Sequence, residues 1–170
     1  MAKTALLFAG QGAQVVGMGR DLAESHSTAK ALFAQADEAL GYGLSGICFF
    51  GPEEELVRTE HAQPAIYLVG WIALQLLREH APGLAFDATA GLSLGEFTAL
   101  AAADALGFED GLRVVRRRGE VMQEACEASA GGMAAIVGLD EEAAELGAEL
   151  GTEAQLRVER VEEDEEAVRA

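Results

Sequence analysis

The residues best placed to do chemistry are Gly91-Leu92-Ser93-Leu94-Gly95, followed at once by Glu96. This G-x-S-x-G stretch lies between an apolar run and a helical pattern. Two glycines there let the chain turn sharply from a strand into a helix and project the serine hydroxyl clear of the backbone. The helix that follows directs its first amides and the positive end of its dipole at an oxyanion formed beside Ser93. The chemistry that fits is acyl transfer through a serine ester. A serine at a helix start can also be a plain N-cap; the paired glycines and the preceding strand favour the nucleophile. Glu96 fits a first-turn acid favoured by the helix dipole better than a triad member.

A second glycine motif, Gly10-Gln11-Gly12-Ala13-Gln14, follows the first apolar run. It fails as a dinucleotide fingerprint because residue 15 is valine, and it has no P-loop lysine. It reads either as a simple turn or as a loop beside the elbow at the carboxyl ends of parallel strands, where α/β sites form. In the second reading the amide of Gln11 joins that of Leu94 in an oxyanion hole.

Arg118 is the third candidate. On a helical wheel at roughly 100° per residue, Leu112, Val114, Val115, Val121, Met122, Ala125 and Cys126 share one half. Arg113, Arg116, Arg117, Glu120, Gln123, Glu124 and Glu127 share the other. Arg118 is the charged residue inside the apolar half. A buried charge needs a partner, which is either an internal carboxylate or an anionic substrate held bidentately. Arg116 and Arg117 read as solvated surface, with contact to an acidic partner protein as a minor possibility.

The elements that must position these groups follow from periodicity and breakers. Leu6-Leu7-Phe8 reads as a buried strand and Asp21 to Leu40 as helix in two pieces, closed by Gly41-Tyr42-Gly43. Gly51-Pro52 and three glutamates open another helix. Gln63-Pro64 reads as the start of an apolar helix to Glu79, burying Ile66, Trp71, Leu74 and Leu77. Ala85 to Ala90 is the strand into the elbow, Leu94 to Ala103 the helix out of it, and Glu109 to Glu127 a further helix. Met133 to Val137 reads as strand and Asp140 to Leu150 as helix. Strands alternating with helices predict an α/β fold, a parallel sheet with flanking helices. The tail from Gly151 to Ala170, with Glu162-Glu163-Asp164-Glu165-Glu166 in one block, has too few apolar residues to pack firmly.

The bulk numbers narrow the class. At 170 residues, half of them hydrophobic and 6% aromatic, the chain can build one domain with an aliphatic, alanine-rich core. A net charge of −17 argues against nucleic acid as a partner. Two distant cysteines, Cys48 and Cys126, match neither a disulfide framework nor a metal site and point to a reducing compartment. The N-terminus is too short and glycine-rich for a signal peptide, and no apolar run reaches a membrane span. A soluble cytoplasmic protein without metal or redox cofactor is the expectation.

Taken together, Gly10-Gln11-Gly12-Ala13-Gln14, Gln63-Pro64, Gly91-Leu92-Ser93-Leu94-Gly95-Glu96, Arg118-Gly119 and Gly132-Met133-Ala134-Ala135-Ile136-Val137-Gly138-Leu139 stand in an order and spacing that resembles the malonyl-CoA:acyl carrier protein transacylases. These are related to the acyltransferase domains of polyketide synthases. The resemblance spans roughly residues 4 to 150. It implies the N-terminal part of an acyltransferase/hydrolase-like large domain over residues 1–129 and the start of a small ferredoxin-like subdomain over 130–150, and it fades in the acidic tail over 151–170. It also implies that Ser93 takes malonyl from malonyl-CoA and passes it to the phosphopantetheine thiol of acyl carrier protein. The amides of Gln11 and Leu94 would form the oxyanion hole, Arg118 would pair with the malonyl carboxylate, and Gln63 would support the site. Coenzyme A would enter only as the substrate's carrier. Most members carry His where this chain has Leu92, a position that is not the nucleophile.

A serine nucleophile needs a general base. The three histidines, His26, His61 and His80, all precede Ser93, whereas in elbow enzymes the histidine follows it. His26 reads as a loop residue, His61 as preceding a helix and His80 as ending one. In the resembled family the base lies beyond residue 170, so the chain reads as a truncated or frame-disrupted member with sheet partners missing. Two other functions compete. A serine esterase shares the elbow but has no use for a buried arginine, and a non-catalytic fragment that binds the carrier protein fits the absent histidine.

Overall fold

The computed structural model describes residues 3–128. The chain divides into two units, Met1–Ser129 and Ala130–Ala170. The predicted strand and helix between Met133 and Leu150, the ferredoxin-like start and the acidic tail lie outside the described residues.

Strand β1 (Ala5–Phe8) is followed by five helices: α1 (Arg20–Ser25), α2 (Ser27–Leu40), α3 (Leu44–Phe50), α4 (Glu53–Leu56) and α5 (Thr59–His80). Then come strand β2 (Ala88–Gly91) and helices α6 (Gly95–Ala102) and α7 (Phe108–Ala128). The two strands pair in parallel, with Ala5 opposite Ala88 and Phe8 opposite Gly91, so the predicted parallel sheet with flanking helices is present. Below the ladder, Thr4 and Asp87 close the pairing: Asp87 donates its amide to the Thr4 carbonyl, and Thr4 donates its own to the Asp87 carboxylate.

Among the described residues, helices cover one face of this sheet. Thr89 donates its hydroxyl to the Ala99 carbonyl of α6, while Leu7, on the opposite face, is 79% exposed.

Helix α5 runs through the core. Tyr67, Leu68 and Ile72 of α5 are fully buried with Leu44, Leu56, Leu112 and Val115. The small side chains of Ala29, Ala36, Ala62, Ala65 and Ala101 let the helices approach closely. The predicted break between α1 and α2 falls at His26, and α2 stops where Gly41 takes a left-handed conformation and returns its amide to Asp37.

Several expectations need correction. Helix α5 begins at Thr59, five residues before Pro64. The proline forfeits one intrahelical bond, yet the turn holds because the residues around it, Ala62 to Leu68, are all buried. His61 therefore lies inside the first turn of α5. Ile66 and Leu74 are buried as predicted, but Trp71 is half-buried, stacked on Phe108, and Leu77 is exposed. Helix α3 escapes the periodicity, because its seven residues fall between two glycine breaks and offer too short a period to read. Strand β2 starts three residues later than the apolar run suggests.

Candidate active site

Ser93 stands between β2 and α6 with a φ of 52°, a left-handed conformation that costs a non-glycine residue roughly 1–2 kcal/mol. It is exposed and is not the helix N-cap, a position held by Leu94 without a side-chain capping bond. The N-cap reading of Ser93 thus fails.

The turn is tight enough to dictate its glycines. A Cβ on Gly91 would collide with the backbone of Gly95, and one on Gly95 with the Phe8 carbonyl oxygen. A β-carbon on Gly10 would lie 2.6 Å from the Leu92 carbonyl oxygen. The loop after β1 is therefore pressed against the serine turn, as expected for a site at the carboxyl ends of parallel strands.

This packing sets the loop that carries Gln11 beside the turn that carries Leu94. Leu94 anchors its side chain in the core, and Gln11 sits on the loop that Gly10 starts. Among the described residues, neither Leu94 nor Gln11 has a partner for its amide N–H. The Gln11 side chain donates to Thr59 Oγ1 at 3.4 Å.

Arg118 reaches the serine from α7. That helix lies close on α5 because Gly111 leaves room for the Tyr67 hydroxyl and Gly119 for the Thr59 carbonyl. Leu112 and Val115 secure the same face. Arg118, one residue before Gly119, donates from Nη1 to Gln63 Oε1 at 2.7 Å and from Nη2 to Ser93 Oγ at 2.8 Å. Its guanidinium carbon lies 6.0 Å from the centre of the Phe97 ring. Arg118 is half-buried, and among the described residues no carboxylate pairs with it. Within the described residues, the internal salt bridge is not formed.

Gln63 is fully buried. Its Oε1 faces Arg118, and its Nε2 faces Met122 Sδ at 3.1 Å.

The other arginines separate as their surroundings dictate. Arg117 is exposed and pairs with Glu120 and Glu124, as a solvated residue should. Arg116 does not behave so. It is half-buried, donates to the Leu40 carbonyl at the end of α2 and to Glu120, and lies over the Tyr42 ring. Cation donors at a helix C-terminus satisfy carbonyls that the helix leaves open. Val114 and Val121, expected on the buried face of α7, are exposed.

The histidines are occupied elsewhere. His61 Nδ1 lies 2.8 Å from the Glu55 carbonyl and 3.4 Å from its carboxylate. His80 Nδ1 lies 2.8 Å from the Leu76 carbonyl, and the His26 ring packs edge-on against that of His80. None contacts Ser93 among the described residues. No group of three potential metal ligands forms among them, and none of their helices is long and apolar enough to cross a membrane.

Sequence reasoning misses Thr59, Met122 and Gln123, although helical spacing points to them. Thr59 lies one turn before Gln63 and Met122 one turn after Arg118. Gln123 accepts the Thr59 amide at 3.3 Å.

Residues 5–151 match the acyl transferase domain family. The chain is 50% identical over 143 residues to the malonyl CoA-acyl carrier protein transacylase of Bacillus subtilis, covering 84% of this chain and 44% of that one. An acyl-carrier-protein-S-malonyltransferase from Bartonella henselae superposes with a TM-score of 0.77 at 38% identity, covering 88% of this chain and 48% of that one. A malonyl-transacylase solved in complex with its type II PKS acyl-carrier protein gives 0.69 at 40% identity, covering 73% and 40%. The chain spans about half the length of the relatives it matches. It belongs to the acyl transferase domain family.

Proposed function

We propose that this protein takes a malonyl group from malonyl-CoA onto Ser93 and passes it to the phosphopantetheine thiol of acyl carrier protein, a step of fatty-acid synthesis. The observation that carries this reading is the Arg118 guanidinium, hydrogen-bonded to Ser93 Oγ and unpaired with any carboxylate among the described residues. A cation one hydrogen bond from a nucleophile fits an acyl group that carries its own anion. An esterase would gain nothing from it.

In the first half-reaction Ser93 Oγ bonds to the thioester carbon and the carbon–sulfur bond breaks. The coenzyme A sulfur leaves with the electron pair and ends as the thiol, carrying the serine proton. The amides of Gln11 and Leu94 stabilise the oxyanion between these events. Arg118 holds the distal carboxylate, and Gln63 holds Arg118. In the second half-reaction the carrier thiol attacks the ester and the proton returns to Ser93. The protein needs no cofactor of its own, since coenzyme A arrives with the substrate. The names of the relatives support the substrate and the carrier. A cytoplasmic location is part of the same proposal, supported by the free thiols Cys48 and Cys126.

The histidines engaged elsewhere favour one second reading, a chain that binds carrier protein without turnover. Incubation with malonyl-CoA and holo-acyl carrier protein separates the two. Malonylated carrier accumulating with free coenzyme A supports the transferase. Carrier binding without either product supports the second reading.

A further inference from the structure

We propose that Met122 is a positioning residue for malonyl selection: its thioether fixes the Gln63 side-chain amide so that the oxygen faces Arg118. The inference rests on the malonyl-transfer reading above.

Arginine has only donors, so Gln63 can meet Arg118 only through Oε1. That choice aims the NH2 group of Gln63 the other way. Gln63 is fully buried, so water does not stand in, and the group in reach is Met122 Sδ at 3.1 Å. A buried amide whose donor loses its acceptor carries a desolvation penalty. It also loses its bias between the two flipped orientations, one of which would turn NH2 toward the guanidinium and push Arg118 off the site. A thioether is a weak acceptor, but a hydrocarbon of the same size is none. Met122 and Arg118 are one helical turn apart on α7, and Gln63 on α5 bridges them. The three form a relay from the thioether to the guanidinium nitrogen that donates to Gln63, while the other donates to Ser93.

The test compares loading of Ser93 from malonyl-CoA and from acetyl-CoA, followed by intact mass, in Met122→Leu, Met122→Gln, Gln63→Leu and the Met122→Leu/Gln63→Leu pair. Leucine conserves volume, so the variant folds. Met122→Leu is expected to slow malonyl loading about tenfold, near the low end of the penalty for a buried donor left without its acceptor, and to leave acetyl loading unchanged. Met122→Gln, with an amide oxygen within reach, restores the malonyl rate. Once Gln63 is leucine, adding Met122→Leu has no further effect. Wild-type malonyl rates in Met122→Leu, equal loss with both acyl groups, or an undiminished loss in the Gln63→Leu background would each overturn the proposal. The side-chain amide protons of Gln63, followed by NMR across the same variants, read its orientation without turnover. They are expected to shift in Met122→Leu and return in Met122→Gln. If the wild-type chain does not load malonyl, the transferase reading fails, and an unmoved Gln63 amide in Met122→Leu sinks the positioning role separately.

Discussion

Arg118 donates a hydrogen bond from Nη2 to Ser93 Oγ across 2.8 Å, joining the middle of α7 to the turn between β2 and α6. Twenty-five residues separate the two, and three close backbone approaches bring them together: Gly95 on Phe8, Gly10 on Leu92 and Gly119 on Thr59. The site is therefore a product of helix and strand packing, and variants that relax the packing should damage chemistry as well as stability.

Replacing Arg118 by alanine removes two charge-assisted hydrogen bonds. A charge-assisted hydrogen bond contributes about 1.5–3 kcal/mol, so losing the one proposed to hold the malonyl carboxylate should slow malonyl loading of Ser93 by about 10- to 150-fold. Acetyl loading should not fall. Arg118→Lys should recover little, because a point charge does not span Gln63 and Ser93 as the guanidinium fork does. Paired rate measurements with the two thioesters check this.

Gly119→Ala should destabilise by about 1–3 kcal/mol, the ordinary cost of overpacking. The new Cβ would lie 2.5 Å from the Thr59 carbonyl oxygen and 2.9 Å from Glu60 Cα, both backbone atoms that yield poorly. Urea unfolding measures the loss. Because the clash pries α7 from α5, the malonyl rate of the folded fraction should fall with it.

Much of this is legible in the sequence, for reasons that differ by residue. Ser93 and its glycines declare themselves because a sharp strand-to-helix turn excludes β-carbons at fixed positions. Arg118 declares itself as a charge on an apolar stripe. Its partners are not legible, because an internal acid and an external anion leave the same mark on a helical wheel. The start of α5 is misread because Pro64 mimics a helix opening, and only the tertiary burial of Ala62 to Leu68 shows that the helix is already running. Arg116 reads as surface because periodicity cannot show that the carbonyl end of α2 lies beside it.

The thiols should differ sharply in reactivity. Cys126 is exposed, whereas Cys48 is buried; burial first, then the charge of Asp37, pushes the Cys48 thiol up to about 12 from an ordinary 9.0. Maleimide on the native chain should label Cys126 and spare Cys48. Between 9.0 and about 12 the unfolded chain releases a proton that the folded chain keeps, so this contribution to stability is fully present below that window and is lost across it. Denaturation curves on either side of that window should show Cys48→Ala flattening the alkaline decline.

Leu92, beside the nucleophile, is 73% exposed. Leu92→His should change stability by no more than about 0.5 kcal/mol, as exposed substitutions usually do. Thermal melting of the two proteins checks it.

The central claim is that Ser93 accepts malonyl. The most direct measurement is the intact mass of the folded chain after incubation with malonyl-CoA, beside a Ser93→Ala control. A malonyl-sized increment is expected on the wild-type chain and not on the control. A folded wild-type chain that gains no mass, or a control that gains the same mass, would contradict the claim.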